Sequence, residues 1–339
     1  MPTNDGIESP RVGLVLGGGG VAGMAFHAGV LWALQHDLGW DARDAEVIVG
    51  TSAGSIVGAL LRAGVSPEDL AAWATEATST RQGRRFRALM RHADGLAPVA
   101  RVPSPTLPGW HSLRTLAHPS RVPAALISLL PHGLVDHAPR LAIVDRLLDQ
   151  WPTKPLWISA VRVGDGRLTW FGRTDRSGVD GGVSIGTGVT HDVDSVRPAD
   201  AVTASCAIPV LARPVRIGGH RYIDGGVHSP TNADVLAGYD VDLVIVLSPM
   251  GHAWNDGCKS PLRRLAHRRL RPEVGVLSRS GVDVQVIGPD ATTMESMGWN
   301  LLDRNNSASV MRHAFVGTSL QLHSDVTTTL RAPTARNTA

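Results

Sequence analysis

The sequence predicts a three-layer α/β/α domain with a mostly parallel central sheet. Short apolar runs at 11–16, 47–49 and 241–247 have the continuous apolar character of strands that are buried on both faces. Segments of helical periodicity alternate with these runs. Glycine-rich turns at 17–20 and 50–54 directly follow the first two runs.

Each element is assigned from its periodicity and its flanking residues. Apolar residues recur at helical spacing over 21–35, which predicts the first helix. Ser66 at an N-cap, Pro67 at the next position and two acids in the following turn predict the start of another helix. The remaining predictions are a helix from 56 to about 64, hairpins at 156–172 and 215–223, a short helix at 198–207, a last strand at 282–287 and a closing helix within 307–330.

The composition excludes several classes of protein. With 43% hydrophobic residues and a net charge of +3, the chain is not an intrinsically disordered polymer. Two cysteines are too few for a disulfide scaffold or a cysteine-rich zinc module. Because the charge of +3 is spread over 339 residues, we expect no nucleic-acid partner. We interpret the basic run at 263–271 as a solvated helix face, with contact to an anionic membrane as the alternative.

The same inspection gives expectations about localisation and metals. The N-terminus lacks the basic start, long apolar run and cleavage site of a secretory signal. The longest apolar stretches are far shorter than the roughly 20 residues that span a bilayer. We therefore expect a cytosolic protein with two free thiols, and peripheral membrane contact stays open. No metal-ligand spacing is present, so we expect no metal.

A G-x-S-x-G motif lies between a predicted strand and a predicted helix, formed by Gly50, Ser52 and Gly54. A sharp strand-to-helix turn lifts the serine Oγ above the sheet, and its tightness requires small residues on both sides. The serine then lies at a helix N-terminus, which favours developing negative charge. The motif therefore indicates a nucleophile at Ser52. The alternative is a packing turn whose small residues let the helix approach the strand.

A second motif, G-x-G-x-x-G at residues 18–23, follows the first predicted strand and opens the first helix. A dinucleotide site would need an acid at the end of the next strand, but Gly50 and the residues after it stand there. A Walker-type phosphate loop would need a Gly-Lys pair, yet the first lysine is Lys154. The third interpretation is an oxyanion hole, in which backbone N–H groups of the loop face the carbonyl oxygen under attack.

A third motif, Asp-Gly-Gly at 224–226, follows the strand-like residues 221–223. An Asp-Gly pair by itself is a common turn. The motif gains meaning only beside the other two.

In this order, the three motifs resemble the patatin-like phospholipase family. The small-residue segment at 204–209 and the apolar approach at 222–227, followed by Asn232, are also similar to that family. The resemblance covers roughly residues 11–250, apart from an insertion at 80–140.

The resemblance implies a serine acyl hydrolase that cleaves lipid or phospholipid acyl esters through an acyl-enzyme, without a metal or cofactor. It implies a Ser-Asp dyad with Ser52 as the nucleophile and Asp224 as its general base. A free aspartate has a pKa of about 3.9, so such a dyad requires burial that raises its basicity or an oxyanion hole that stabilises the product of proton transfer. The implied oxyanion hole comprises Gly18, Gly19, Gly20 and Ala53, and the residues that support the motifs are Gly23, Gly50, Gly54, Gly225 and Gly226.

One departure from the family and two alternative functions remain. Many members carry Arg or Lys where this chain has Ala22, which puts extra cationic stabilisation in doubt. An α/β-hydrolase esterase with a Ser-Asp-His triad would find its histidine in His313 or His323. His27 and His228 are further candidates for lining the site. The other alternative is a catalytically silent lipid-binding protein with an inherited site.

The segment 80–140 is rich in proline, arginine and histidine, which predicts an inserted lid or side lobe over the site. Its apolar stretch at 124–130, together with Trp110 and Trp151, suits either acyl-chain contact or ordinary packing. The predicted organisation is a loose leader at 1–10, a catalytic domain at 11–290 that contains the insertion, and a C-terminal helical segment and tail at 291–339.

Overall fold

The chain is an α/β protein built on one large, twisted sheet and a separate pair of short strands. A computed structural model describes residues 10–75, 80, 83–84, 86–88, 99–100, 133, 135–136, 138–174, 189–190, 196–251 and 260–324. The strands are β1 (Val12–Leu16), β2 (Val47–Gly50), β3 (Val99–Ala100), β4 (Val135–Asp136), β5 (Leu156–Arg162), β6 (Leu168–Phe171), β7 (Val189–Thr190), β8 (Val215–Ile217), β9 (His220–Asp224), β10 (Leu243–Leu247) and β11 (Asp283–Ile287).

Helices connect the strands and cover both faces of the sheet. They are α1 (Gly20–Leu38), α2 (Ala53–Arg62), α3 (Pro67–Thr75), α4 (Ala138–Leu147), α5 (Pro198–Ser205), α6 (Pro261–Arg279), α7 (Ala291–Met297) and α8 (Ser307–Ser324), with 3₁₀ turns at Ala42–Asp44, Gly225–Val227 and Ala233–Leu236.

The large sheet is mostly parallel, with the strand order β11-β10-β1-β2-β5-β6-β7. β1 runs parallel to both β2 and β10, and Leu16 pairs with Gly50 on one side and with Leu247 on the other. The carboxyl ends of these three strands therefore lie level at one edge. This register puts the glycine loop that follows β1 beside the turn that follows β2.

Strand β9 reaches the same edge from the opposite direction. Ala160 of β5 pairs with Thr169 of β6 on one side and with Asp224 of β9 on the other. Gly50, the last residue of β2, pairs with Ile158 of β5. Because β6 occupies the first side, β2 and β9 lie on the second side and meet end to end. Asp224 therefore arrives next to the turn that follows Gly50.

The core forms two layers because side chains alternate across each strand. Leu14 and Leu16 contribute to the layer that contains α1, α2 and α8. Val15 faces the opposite layer, where Leu270 and Leu277 of α6 pack. Helix α1 is buried on most sides, and α8 packs so closely on it that a Cβ at Gly29 would collide with the main chain of α8. The C-terminal helix is thus part of the central core.

The predicted α/β architecture with a mostly parallel sheet is confirmed. Both predicted hairpins form, as β5–β6 and β8–β9. The helix after Ser52 begins at Ala53, three residues before the predicted start, and the closing helix is described from Ser307 to Ser324. None of the described helices is long and apolar enough to cross a bilayer.

Most of the predicted lid lies outside the described residues. The apolar stretch 124–130 and Trp110 are among the residues that are not described. The predicted leader is likewise outside the described residues, except for Pro10. Trp151 is described, is half-buried, and packs against the layer that contains α1. Its indole Nε1 donates a hydrogen bond to the carbonyl oxygen of Val196 at 2.6 Å, so Trp151 makes an ordinary packing contact.

Candidate active site

Ser52 occupies a strained turn between β2 and α2. Its φ is 53° and its ψ is −119°, a backbone conformation that residues other than glycine rarely adopt. The Ser52 N–H donates a hydrogen bond to Ser205 Oγ at 2.8 Å, which helps to hold this conformation. A Cβ at Gly54 would collide with the carbonyl oxygen of Leu16, so only glycine lets α2 start this close to β1.

Asp224 lies against this turn and is 5% exposed. The Ser52 side chain interacts with the Asp224 carboxylate and favours its ionised form. The N–H of Gly226 donates to Asp224 Oδ1 at 2.7 Å, and the main-chain N–H of Asp224 donates to the carbonyl oxygen of Ala207 at 3.0 Å. The carboxylate is therefore held by the Gly226 N–H, and the main chain of Asp224 is held by Ala207.

Burial makes Asp224 a stronger base than a free aspartate. It raises the pKa of Asp224 to about 6, against the opposing effect of the hydrogen bonds from Ser52 and Gly226. At neutral pH the carboxylate is therefore mostly ionised, yet it holds a proton more tightly than it would in water. Raised basicity through burial is one of the two conditions under which an aspartate can act as base to a serine.

The glycine loop runs alongside Ser52. A Cβ at Gly18 would lie 3.3 Å from Ser52 Cβ, so the two segments are in close contact. The N–H of Gly18 donates to the carbonyl oxygen of Pro230 at 2.8 Å and is already engaged. The N–H groups of Gly19 and Gly20 donate no hydrogen bond within the described part of the chain.

Ala53 offers a third donor on the other side of Ser52. Its N–H has no acceptor among the residues that the structure describes. Gly23 faces Ala53, with 3.6 Å between a Cβ placed on Gly23 and the Cβ of Ala53. Helices α1 and α2 thus begin side by side, and the positive ends of both helix dipoles lie next to Ser52. An anion beside the serine would be stabilised there.

The family model of patatin-like phospholipases matches residues 14–237, which is well over half of the chain. The chain belongs to this family. The match includes the glycine loop, the turn of Ser52 and the loop of Asp224.

Curated relatives of this patatin-like chain include NTE family proteins described as uncharacterized, from Mycobacterium bovis and Mycobacterium tuberculosis. Each is 28% identical over 247 residues, which cover 73% of this chain and 51% of the relative. The chain therefore spans about half the length of the curated relatives that it matches.

Two solved structures are similar at low identity. VipD from Legionella pneumophila aligns with 93% of this chain and 67% of its own, at 15% identity and a TM-score of 0.42. The type III effector protein ExoU aligns with 94% of this chain and 53% of its own, at 14% identity and a TM-score of 0.34.

His27 of the patatin-like chain supports the glycine loop from below. Its ring is fully buried, and Nε2 lies 2.7 Å from the carbonyl oxygen of Gly17. A carbonyl only accepts hydrogen bonds, so Nε2 carries the proton. Burial lowers the pKa of His27 to about 4, so the ring is neutral at physiological pH. His27 therefore holds the start of the loop rather than lining the site.

The other three histidines that the sequence singled out are bonded elsewhere. Nδ1 of His228 pairs with the side-chain oxygen of Asn232 at 2.9 Å. Nδ1 of His313 lies 2.5 Å from Ser296 Oγ, and Nδ1 of His323 lies 2.6 Å from the carbonyl oxygen of Ser319 in its own helix. No hydrogen bond joins any of these rings to Ser52 or Asp224 in the described structure.

Several polar residues of the site carried no role in the sequence analysis. Ser205, the acceptor for the Ser52 N–H, lies within the small-residue segment that resembled the family, but only the fold shows what it contacts. The hydroxyl oxygens of Thr51 and Ser159 lie 2.7 Å from each other. The thiol of Cys206 lies 3.8 Å from Ser55 Oγ, and burial raises the pKa of that thiol, which keeps it neutral.

The basic run at 263–271 is only partly solvated. Arg264, Arg268 and Arg271 are exposed, as expected for a solvated face of α6. Arg263 is 6% exposed, and its guanidinium donates to the carbonyl oxygen of Pro249 at 2.8 Å. A Cβ at Gly19 would lie 2.8 Å from the Cβ of Pro249, so Arg263 supports the segment that packs behind the glycine loop.

Proposed function

We propose that the protein hydrolyses acyl esters of lipids, with Ser52 as nucleophile and Asp224 as general base. The observation that carries this proposal is a buried carboxyl group, Asp224, beside a serine that occupies a strained turn at a helix N-terminus. Membership of the patatin-like phospholipase family supports a lipid substrate. The proposed dyad needs no histidine, in agreement with the hydrogen bonds that the candidate rings make elsewhere.

The first half of the reaction acylates the serine. Ser52 Oγ attacks the carbonyl carbon of the ester while its proton passes to Asp224. The carbonyl oxygen becomes an oxyanion and accepts hydrogen bonds from the N–H groups of Gly19, Gly20 and Ala53. The intermediate then collapses, the C–O bond to the alcohol breaks, and the departing alkoxide takes the proton from Asp224. An acyl ester of Ser52 remains.

The second half releases the fatty acid. A water molecule attacks the acyl carbon and gives its proton to Asp224. The same three N–H groups stabilise the second oxyanion. When this intermediate collapses, Ser52 Oγ leaves and recovers the proton from Asp224. The products are a carboxylic acid and the alcohol, and the enzyme returns to its starting state.

Burial and the oxyanion donors make the two steps feasible together. Removing one oxyanion donor typically raises a barrier by about 3 kcal/mol, so three fixed donors represent a large stabilisation of the transition state. The donors belong to backbone at two helix N-termini and need no reorganisation when charge develops. Ala22 supplies no cation, so in this proposal backbone dipoles provide the stabilisation beside the glycine loop.

A loop after α7 offers contact with a lipid surface beside the site. The carbonyl oxygen of Leu301 accepts a hydrogen bond from the Ala22 N–H at 3.0 Å, which ties this loop to the glycine loop. Trp299 is 95% exposed and Leu302 is 43% exposed. A tryptophan with one apolar and one polar end suits a membrane-water interface. We propose that these two side chains contact the lipid that presents the ester.

Labelling with a fluorophosphonate probe tests the proposed activity. The probe forms a covalent bond only with an activated serine, so wild-type protein should label and Ser52→Ala should not. Mass spectrometry of the labelled peptide would identify the modified residue. Absence of labelling in the wild type, or equal labelling of Ser52→Ala, would contradict the proposal.

A further inference from the structure

A loop at 228–233 contacts all three segments of the candidate site. Asn232 is fully buried in this loop and adopts a left-handed conformation, with φ 52° and ψ 36°. Its side-chain nitrogen Nδ2 lies 3.1 Å from Thr51 Oγ1, and Thr51 is the residue before Ser52. Thr51 Oγ1 is in turn 2.7 Å from Ser159 Oγ. The amide thereby reaches the turn formed by Thr51 and Ser52, which we call the nucleophile turn.

The same amide reaches the turn formed by Asp224 and Gly225, which we call the base turn. Nδ2 donates to the carbonyl oxygen of Ser229 at 2.5 Å and lies 3.5 Å from the carbonyl oxygen of Gly225, the residue after Asp224. An amide nitrogen has two hydrogens, so Ser229 and Thr51 are its primary acceptors. Both Ser229 and His228 also donate their main-chain N–H to the carbonyl oxygen of Gly225. The loop and the base turn are therefore one hydrogen-bonded unit.

The buried carboxyl group of Glu273 fixes the loop from the opposite side. Glu273 of α6 accepts hydrogen bonds from Thr231 Oγ1 at 2.6 Å and from the Ala233 N–H at 2.9 Å. Between these anchors, the carbonyl oxygen of Pro230 accepts the N–H of Gly18 at 2.8 Å. The loop thus bonds to the nucleophile turn, the base turn and the glycine loop, and α6 holds it in place.

We propose that Asn232 is a positioning residue that holds the turn of Asp224 in register with the turn of Ser52. This inference rests on the proposed function. Asn232 does not contact the reacting atoms, and it acts through Thr51 on one side and through Ser229 and Gly225 on the other. Proton transfer from Ser52 to Asp224 depends steeply on their separation, because a misplacement of 1 Å can cost about 100-fold in rate.

The main test is Asn232→Gly. Glycine tolerates the left-handed backbone at this position, so the variant removes the amide without adding backbone strain. With p-nitrophenyl butyrate as a soluble substrate, we expect kcat to fall by about 10- to 100-fold and KM to change by less than about threefold. The fluorophosphonate probe should still label Ser52 completely, but more slowly.

Val235→Ala is the matched control. Val235 is buried on the adjacent 3₁₀ turn and donates no side-chain hydrogen bond, so its truncation lowers stability without cutting the connection. We expect this control to keep kcat within about threefold of wild type. Equal losses of kcat in the two variants would mean that general destabilisation is the cause, and would overturn the positioning role.

A second pair of variants covers the case in which Asn232→Gly does not fold. Thr51→Val removes the acceptor of the amide and keeps the side-chain shape, whereas Thr51→Ser keeps the hydroxyl. We expect Thr51→Val to lose about tenfold in kcat and Thr51→Ser to remain near wild type. The proposal would be overturned if either Asn232→Gly or Thr51→Val kept the kcat of the wild type. It would also be overturned if these variants changed only KM. A wild type that neither labels nor turns over substrate would contradict the proposed function itself, and the positioning role with it.

Discussion

Ser52 and Asp224 lie next to each other because their strands meet end to end beside β5. β2 approaches this meeting point in parallel to β5, and β9 approaches it in the antiparallel direction. A serine that follows one strand and an aspartate that ends the other are thereby brought together across about 170 residues of chain. The sheet itself supplies the geometry that the proposed proton transfer requires.

The first prediction concerns the base. Asp224→Asn should lower kcat by about 10²- to 10⁴-fold, because the amide has a similar shape but cannot accept the Ser52 proton. The melting temperature should stay close to that of the wild type, since the buried site already favours a neutral group over a charged one. Rates should be measured on a short-chain p-nitrophenyl ester, so that binding to a lipid surface does not affect them.

The controls for this prediction are the histidines. His228→Ala, His313→Ala and His323→Ala should each cost far less than Asp224→Asn, because these rings hydrogen-bond to groups other than Ser52 and Asp224. A folded histidine variant that is as inactive as Ser52→Ala would refute the dyad. It would favour a triad, in which an imidazole takes the serine proton directly.

The second prediction is the pH dependence of turnover. Burial raises the pKa of Asp224 to about 6, and only the ionised carboxylate can accept the Ser52 proton. About half of the molecules should be active at pH 6 and about nine tenths at pH 7, so kcat should fall as the pH drops through 6. Measurement of kcat between pH 4.5 and 8 on a soluble ester checks this. A flat profile down to pH 5 would contradict the assignment of Asp224 as the base.

The sequence was sufficient to single out Ser52 and Asp224 as candidates because their motifs are local. A tight strand-to-helix turn demands Gly54, whose missing Cβ leaves room for the carbonyl oxygen of Leu16, and such a demand is visible in five consecutive residues. The sequence could state that an aspartate base would benefit from a raised pKa, but it could not show that the pKa of Asp224 is raised. That shift comes from burial, which depends on the packing of distant segments.

The supporting contacts could not be predicted, because they join segments that are far apart in the chain. Ser205 lies 153 residues from Ser52, and the partners Thr51 and Asn232 are 181 residues apart. The β8–β9 hairpin was predictable from its turn, but its place beside β5 was not, since hairpin turns carry no information about the next strand along the sheet. The engagement of the Gly18 N–H by Pro230 follows from that placement.

The third prediction concerns the lipid surface. Trp299→Ser should leave kcat on a soluble p-nitrophenyl ester unchanged, because the side chain is 95% exposed and is not one of the proposed catalytic groups. The rate on phosphatidylcholine vesicles should fall by about tenfold, which corresponds to the loss of roughly 1.5 kcal/mol of apolar burial.

Leu320→Ser is the matched control, since Leu320 is 67% exposed on α8 and the substitution removes a comparable apolar side chain from the surface. It should change neither rate. Equal losses on vesicles in the two variants would show that the loop after α7 has no special role in lipid contact.

The last prediction links Glu273 to stability. Burial, reinforced by the nearby Asp234, raises the pKa of Glu273 from 4.5 to about 7, so the folded protein favours the protonated carboxyl. The stabilisation from this group is complete below pH 4.5 and is lost as the pH rises through 7, with a size of about 3 kcal/mol. Glutamine cannot ionise. Glu273→Gln should therefore remove the pH dependence that this group causes. The free energy of unfolding of the variant should decline less than that of the wild type between pH 5 and pH 8. Urea titrations of both proteins at these two pH values measure the difference directly, and parallel declines in the two proteins would show that Glu273 ionises in the folded state as readily as in the unfolded chain.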